Sequence, residues 1–356
     1  MYSTNIVRHS FLWMTLCFFC QAHANDCFHV ALPTNTTSLN VPPLQSRQTP
    51  QGGIKNPPGF DLFHSGENLA LNGPACFFME QDIVRHVGLL GKFLGEPGGS
   101  GPLVELDGSD IVLDLNHHVL RLNRASTAIN SRVWGKLQEP RRRNLTFRNG
   151  TIDVGGNGIV LQGWQYGGQR HNYRPGPDQI DTAVNWYGPN FREFGDTNIL
   201  LENLTIKSGG LAAYLVGRNN IIRHCHIEVE GHEAIALFGA NNQLIDNDIV
   251  IKRSRPRPSE PYQPPARLNI GSYYSEYAAI WIRDAPGLII RGNKITIEGL
   301  LNVKEAILLI NSPNVVIENN EVSGADRLYT ALDEQSSAHA RDNRKRFGKW
   351  PDSDSH

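Results

Sequence analysis

The stretch RNNIIRHCHIEVEGHEAIALFGANN, residues 218–242, holds three histidines, three glutamates and a cysteine, and it carries Asn-Asn at both ends. Read alone it resembles a catalytic cluster. Its internal pattern says something else. After Asn220 the phrase Ile222-x-x-Cys225-x-Ile227 alternates apolar and polar residues, and the phrase AIALFG follows from Ala234. The first phrase recurs as LIDNDIVI (Leu244, Asn247, Ile249), IRGNKITI (Ile290, Asn293, Ile295) and IENNEV (Ile317, Asn320, Val322). Upstream it recurs as LENLTI from Leu201 and FRNGTI from Phe147. The second phrase recurs as GIVLQG from Gly158, AAYLVG from Ala212, AIWIRD from Ala279 and AILLIN from Ala306. Where nothing is inserted the period is 21 or 22 residues. Short β-branched runs separated by Gly or Asn corners at a fixed period predict a β-solenoid.

These phrases resemble the right-handed parallel β-helix of the pectate-lyase-like superfamily. The resemblance covers roughly residues 76–323 and includes CFFMEQDI and SDIVLDLNHHVLRL at the entry. It implies a single-stranded solenoid of about eight coils in which stacked Asn, or Ser, Cys or Gly substitutes, fill one corner. Here that column reads Asn116, Gly150, Leu204, Cys225, Asn247, Asn293 and Asn320, so an amide ladder should be interrupted between Gly150 and Cys225. A leucine-rich repeat is the competing solenoid, but its Leu-x-x-Leu-x-Leu phrase never occurs. On this reading Cys225 points inward as a small apolar residue. His226, Glu228 and Glu230 face out, with Asp246 beside His224 and Asp248 beside His226 one coil on. Cross-rung charge pairing, a metal site and catalysis are the three roles open to them.

The ends frame the repeat. Residues 1–24 combine Arg8, an apolar run from Phe11 to Cys20, and Ala22-His23-Ala24, the layout of a cleavable secretory signal; a secreted or periplasmic protein with no transmembrane segment is expected. With 34 Lys+Arg against 35 Asp+Glu, the net charge is −1, which provides no steering toward nucleic acid. Residues 25–75 read as an extended Pro/Gly-rich arm, pinned by a Cys27–Cys76 disulfide that suits an oxidising compartment. Residues 324–356 read as a charged mobile tail, and a monomer is expected.

Two insertions interrupt the coils, residues 164–197 and 253–277, both rich in Tyr and Arg, the first also carrying Trp. They leave from opposite edges of one strand column, as two walls of a groove would. The outward positions of that column are Val160, Gln162, Tyr214, Val216, Ala236, Phe238, Trp281, Arg283, Leu308 and Ile310. Outward apolar side chains need either a cover or a use. In the first case the insertions lie over the strip. In the second, Phe238 and Trp281, with Tyr214, form stacking platforms for sugar rings, helped by Trp164, Tyr166 and Arg170, while Arg283 meets a carboxylate. The corner before these strands carries His232-Glu233 and Lys304-Glu305. Gly231-His232-Glu233 is similar to the Gly-His-Gly of polygalacturonases, but the paired aspartates of that family are missing, and its hydrolysis needs them. Elimination or C5 epimerisation of a uronate-containing polymer demands fewer parts. Arg283 would neutralise the carboxylate, with His232 or Lys304 as base, Tyr214 as proton donor and Glu233 at the groove edge. Ca2+ could share the neutralising role. The alternative is a non-catalytic secreted β-helix that binds glycans or a surface partner.

Overall fold

The structure is a computed structural model that describes residues 28–30, 60–62, 69–85, 102–122, 127–131, 142–161, 196–230, 233–252, 278–298 and 303–346. The expected leader 1–24, Cys27, most of the arm, the insertion 253–277 and, apart from Asp196 and Thr197, the insertion 164–197 lie outside the described residues.

Every described element is a strand. The quoted stretch supplies parts of two successive coils. One runs Ala213–Arg218, Ile221–Arg223, His226–Val229, and the next Ile235–Phe238, Gln243–Ile245, Asp248–Lys252. Each strand pairs in parallel with its counterpart one coil away, so Ile206, Ile227, Ile249, Ile295 and Val322 form one column. Leu201, Ile222, Leu244, Ile290 and Ile317 form another. All ten side chains are fully buried, and a side chain of this size contributes about 1.5–3 kcal/mol when buried. The result is the expected single-stranded right-handed parallel β-helix, with the hand that parallel crossovers take.

Its corners explain the Asn-Asn pairs. Asn219 and Asn241 adopt φ 58°, a left-handed conformation that Asn tolerates better than most residues. Asn220 and Asn242 then turn inward. The Oδ1 of Asn242 accepts the Asn220 N–H at 2.8 Å, and its Nδ2 donates to the carbonyls of Gly217, Phe238 and Gly239. The phrase AIALFG ends in glycine for a steric reason. Gly239 has φ +98°, and a Cβ there would stand 2.2 Å from the Gly217 carbonyl oxygen.

The second corner holds the asparagine column. Nδ2 of Asn247 donates to Asn293 Oδ1 at 2.9 Å, Asn293 to Asn320 at 3.0 Å, and Asn320 to Asn343 at 2.9 Å. Each Oδ1 also accepts the backbone N–H one coil back, beginning with Cys225 N–H to Asn247 at 3.0 Å. Cys225 occupies the column as an inward thiol, 2% exposed. Burial pushes its pKa up to about 12, against the opposing pull of backbone hydrogen bonds at Leu204 and Arg223.

Outward, the opening cluster is a cross-rung ladder. His226 Nδ1 lies 3.2 Å from Asp248 Oδ2, Lys294 Nζ lies 3.5 Å from Asp248 Oδ1, and Lys252 Nζ pairs with Glu228 at 2.7 Å. Of the three roles open to these residues, cross-rung pairing is the one their positions serve.

Two expected boundaries need correction. The described residues trace nine coils, from residue 69 to residue 346. At the start, Leu69–Asn72 pairs in parallel with Val104–Asp107, while Phe60–Leu62 caps it antiparallel. At the end, Ala325–Ala331, Ala338–Arg341 and Arg344–Lys345 add a coil in what reads as a tail. That coil is poor in β-branched residues, so the alternation fades. It is held instead by Asn343 in the ladder and by Arg341 on Glu318 at 2.5 Å.

Three outcomes follow from these contacts. Asn293→Ala, which orphans the Asn247 N–H, should lower the unfolding free energy by about 2–4 kcal/mol in urea titration; a loss under about 0.5 kcal/mol would contradict the ladder. Cys225 should resist alkylation at neutral pH until the chain unfolds, and alkylation of the native protein at the rate of a free thiol would contradict its burial. Phe28 pairs with Phe77, and the bridge expected from the sequence is checked by non-reducing peptide mapping, which should join Cys27 to Cys76; a Cys225 bridge would contradict this.

Candidate functional site

The front strand of each coil carries the outward residues singled out in the sequence. In register, Val160, Tyr214, Ala236, Trp281, Leu308 and Thr330 form a middle row. Val216, Phe238, Arg283 and Ile310 form a far row. The same registers, taken back to the corner, align Leu211, Glu233, Ala278 and Glu305 as a near row, with Arg327 opposite Glu305.

The middle and far rows are not an open platform. Tyr214, Phe238 and Trp281 are 5%, 0% and 3% exposed. With Val160, Val216, Ala236, Ala278 and Leu308 they build a second apolar cluster outside the coils, against which Leu211, Ile310 and Leu332 pack. The Phe238 ring joins its neighbours, with centroids 5.2 Å from Tyr214 and 5.3 Å from Trp281, the latter edge-on at 76°. This corrects the expectation of exposed sugar-stacking rings. The physical reason is that alternation along a strand decides which face a side chain takes, while cover over that face is decided elsewhere.

Arg283 breaks the apolar pattern. It is 1% exposed, set between Phe238 and Ile310 in register. Its Nε lies 3.6 Å from Asp284 Oδ2, too far for a hydrogen bond. Nε and Nη1 find no acceptor among the described residues. Asp284 is itself buried at a left-handed corner of φ 49°, and its Oδ1 accepts from Asn311 Nδ2. Asn311 is fixed in turn, its N–H donating to Asp333 Oδ2 at 2.7 Å. The arginine is therefore held in place with charge beside it and with hydrogen-bonding capacity unused. Buried polar groups are nearly always satisfied, so two open donors on one guanidinium require an explanation.

The near row is acidic at two points. Glu305 is 4% exposed, and Glu233 is half-buried with Oε2 shielded from solvent. Glu305 is the residue that sequence reasoning passed over as a neighbour of Lys304. The repeat itself carries the signal, since Glu233-Ala234-Ile235 and Glu305-Ala306-Ile307 occupy the same slot of their coils. His232, the Lys304 side chain, Trp164, Tyr166 and Arg170 lie outside the described residues. Among the described residues no group of three or more His, Cys, Asp or Glu could hold a metal ion.

No family model matches the sequence, and no curated protein does. Solved structures do resemble it. A DFA-IIIase from Arthrobacter chlorophenolicus, in complex with DFA-III, is 13% identical over 76% of this chain and 57% of that one, with a TM-score of 0.41. A lacto-N-biosidase from Eubacterium ramulus is 12% identical over 78% and 51%, with a TM-score of 0.33. The Dettilon tailspike protein is 12% identical over 78% and 44%, with a TM-score of 0.31. The chain spans about half the length of these solved chains.

The open donors have an energetic consequence. Taking a poorly matched ion pair out of water costs more than it returns, and apolar replacement of such pairs stabilises proteins by about 1–4 kcal/mol. The double variant Arg283→Met with Asp284→Asn should therefore be more stable than the parent by that amount in urea titration. A loss of several kcal/mol would show that the pair is an ordinary structural one.

Proposed function

We propose that the front face binds a carboxylate-bearing polysaccharide and acts on its uronate residues by C5 epimerisation or β-elimination, with Arg283 receiving the uronate carboxylate. The observation that supports this is the buried guanidinium with two donors unanswered among the described residues. A carboxylate is the ligand that matches arginine in charge and in hydrogen-bond capacity. In both reactions the C5 proton is acidified when the carboxylate charge is neutralised, so one residue serves binding and chemistry together. Desolvation by the surrounding Phe238, Trp281 and Ile310 strengthens that interaction. Hydrolysis of the polygalacturonase kind lacks its aspartates here. A net charge of −1 also leaves nucleic acid without attraction. The reading goes with a secreted or periplasmic location, as the N-terminal residues imply. At 1% exposure, Arg283 meets a polymer only when the face opens, so association should be slower than the ~10⁵–10⁷ M⁻¹s⁻¹ of preformed sites.

The test is incubation with alginate, pectate and glycosaminoglycans, with and without calcium. The ultraviolet absorbance of unsaturated uronate reports elimination, and deuterium uptake at C5 reports epimerisation. The parent should bind at least one of these polymers and give one signal, and Arg283→Met should lose both binding and signal while staying folded. Binding without either signal would make the protein a glycan-binding module. No binding to any of the polymers would overturn the reading.

A further inference from the structure

We infer that Glu233 and Glu305 are the two proton-transfer groups of this face, working from either side of Ala278 on opposite faces of one uronate ring. The inference rests on the reading of Arg283 as carboxylate receiver and extends it to the acid and base.

Glu233, Ala278 and Glu305 occupy one row of three successive coils. Stacked strands are about 4.8 Å apart, so the two glutamate Cα atoms stand about 10 Å apart with a methyl side chain between them. The row faces the outer layer, because Ala278 belongs to the outer apolar cluster and Leu211 packs against it. Both acids therefore project from the face that carries Arg283. Glu305 does so while 4% exposed, with Arg327 opposite it on the next coil. Ala278 stands just before the bend at Ala279 that leads into the Ile280–Arg283 strand, so it lies at most about 16 Å along the chain from Arg283 at 3.3 Å per residue. An arginine extended from one end and glutamates from the other close that span around a sugar ring.

The chemistry balances without a co-reactant. One glutamate, ionised, takes the C5 proton. The C–H bond breaks, and its electron pair moves into the substrate carboxylate, whose added charge Arg283 holds. The other glutamate, protonated, delivers its proton to C5 from the opposite face, so the configuration inverts. The two carboxyl groups have then exchanged protonation states and are reset by solvent. The reaction is therefore C5 epimerisation, and its substrate class is a polymer whose two C5 epimers can each be bound.

The experiment uses the full chain in D₂O with oligomannuronate and oligoguluronate, which are C5 epimers, and follows both C5 deuterium uptake and epimer conversion. The parent should exchange C5–H in both oligomers. Glu233→Gln should abolish exchange in one oligomer only and Glu305→Gln in the other only. Each variant should lower epimerisation by about 10²–10⁴-fold, the usual contribution of a positioned acid or base, with oligomer binding retained. Exchange of both oligomers by either variant, or conversion near the parental rate, would overturn the pair. If the parent binds but exchanges neither oligomer, the pair is refuted while the Arg283 site stands. If the parent binds neither, the Arg283 reading fails and the pair with it.

Discussion

The structure depends on a single constraint, that every coil closes its corner without leaving a buried backbone group unsatisfied. A β-helix turns its chain sharply inside a dry core, and each turn exposes N–H and C=O groups that no strand partner reaches. The asparagine column meets this need at the corner before the third strand. One amide oxygen takes the N–H of the coil behind, and one amide nitrogen answers the carbonyl of Ile222, Leu244, Ile290 or Ile317. Because each amide links two coils, the column also fixes their register. A slip by one residue would bring every inward isoleucine to the surface.

That register reaches the front face. With corners locked, Phe238 must stand beside Arg283, and Glu233 must share a row with Glu305 across Ala278. The side chains of this face are thus placed by amides buried elsewhere in the coil. The same rigidity lets the fold carry an uncompensated group. A guanidinium left with open donors in an apolar layer costs stability, and a scaffold with dozens of fully buried aliphatic side chains can sustain it. Natural proteins tend to keep such local violations where function needs them.

How much of this was legible in the residues differs from one element to the next. The inward columns, the Asn247–Asn293–Asn320 ladder and its interruption by Leu204 and Cys225 all follow from a period of 21 or 22 residues, because each coil repeats one set of environments. The last coil was hidden because Ala338, Ala340 and Asn343 complete it with little apolar signal, and cross-strand pairing is the property that a single sequence shows least. The outward direction of Tyr214, Phe238, Trp281 and Arg283 was legible from alternation. Their burial was not, since alternation decides which face a side chain takes and not what lies over that face. Glu305 was available by aligning it with Glu233, but its role depends on the small residue between them, which only the register brings into line.

The account's central claim is that Arg283 holds its donors ready for a uronate carboxylate. It is tested most directly by following the ¹⁵N–¹H signal of the Arg283 Nε–H, assigned by its loss in Arg283→Lys, during titration with uronate oligomers and with the corresponding neutral oligosaccharides. A new hydrogen bond to a carboxylate predicts a saturable downfield shift of that proton with the uronates and none with the neutral sugars. A signal that stays in place at saturating uronate, or that moves equally with neutral sugars, would contradict it.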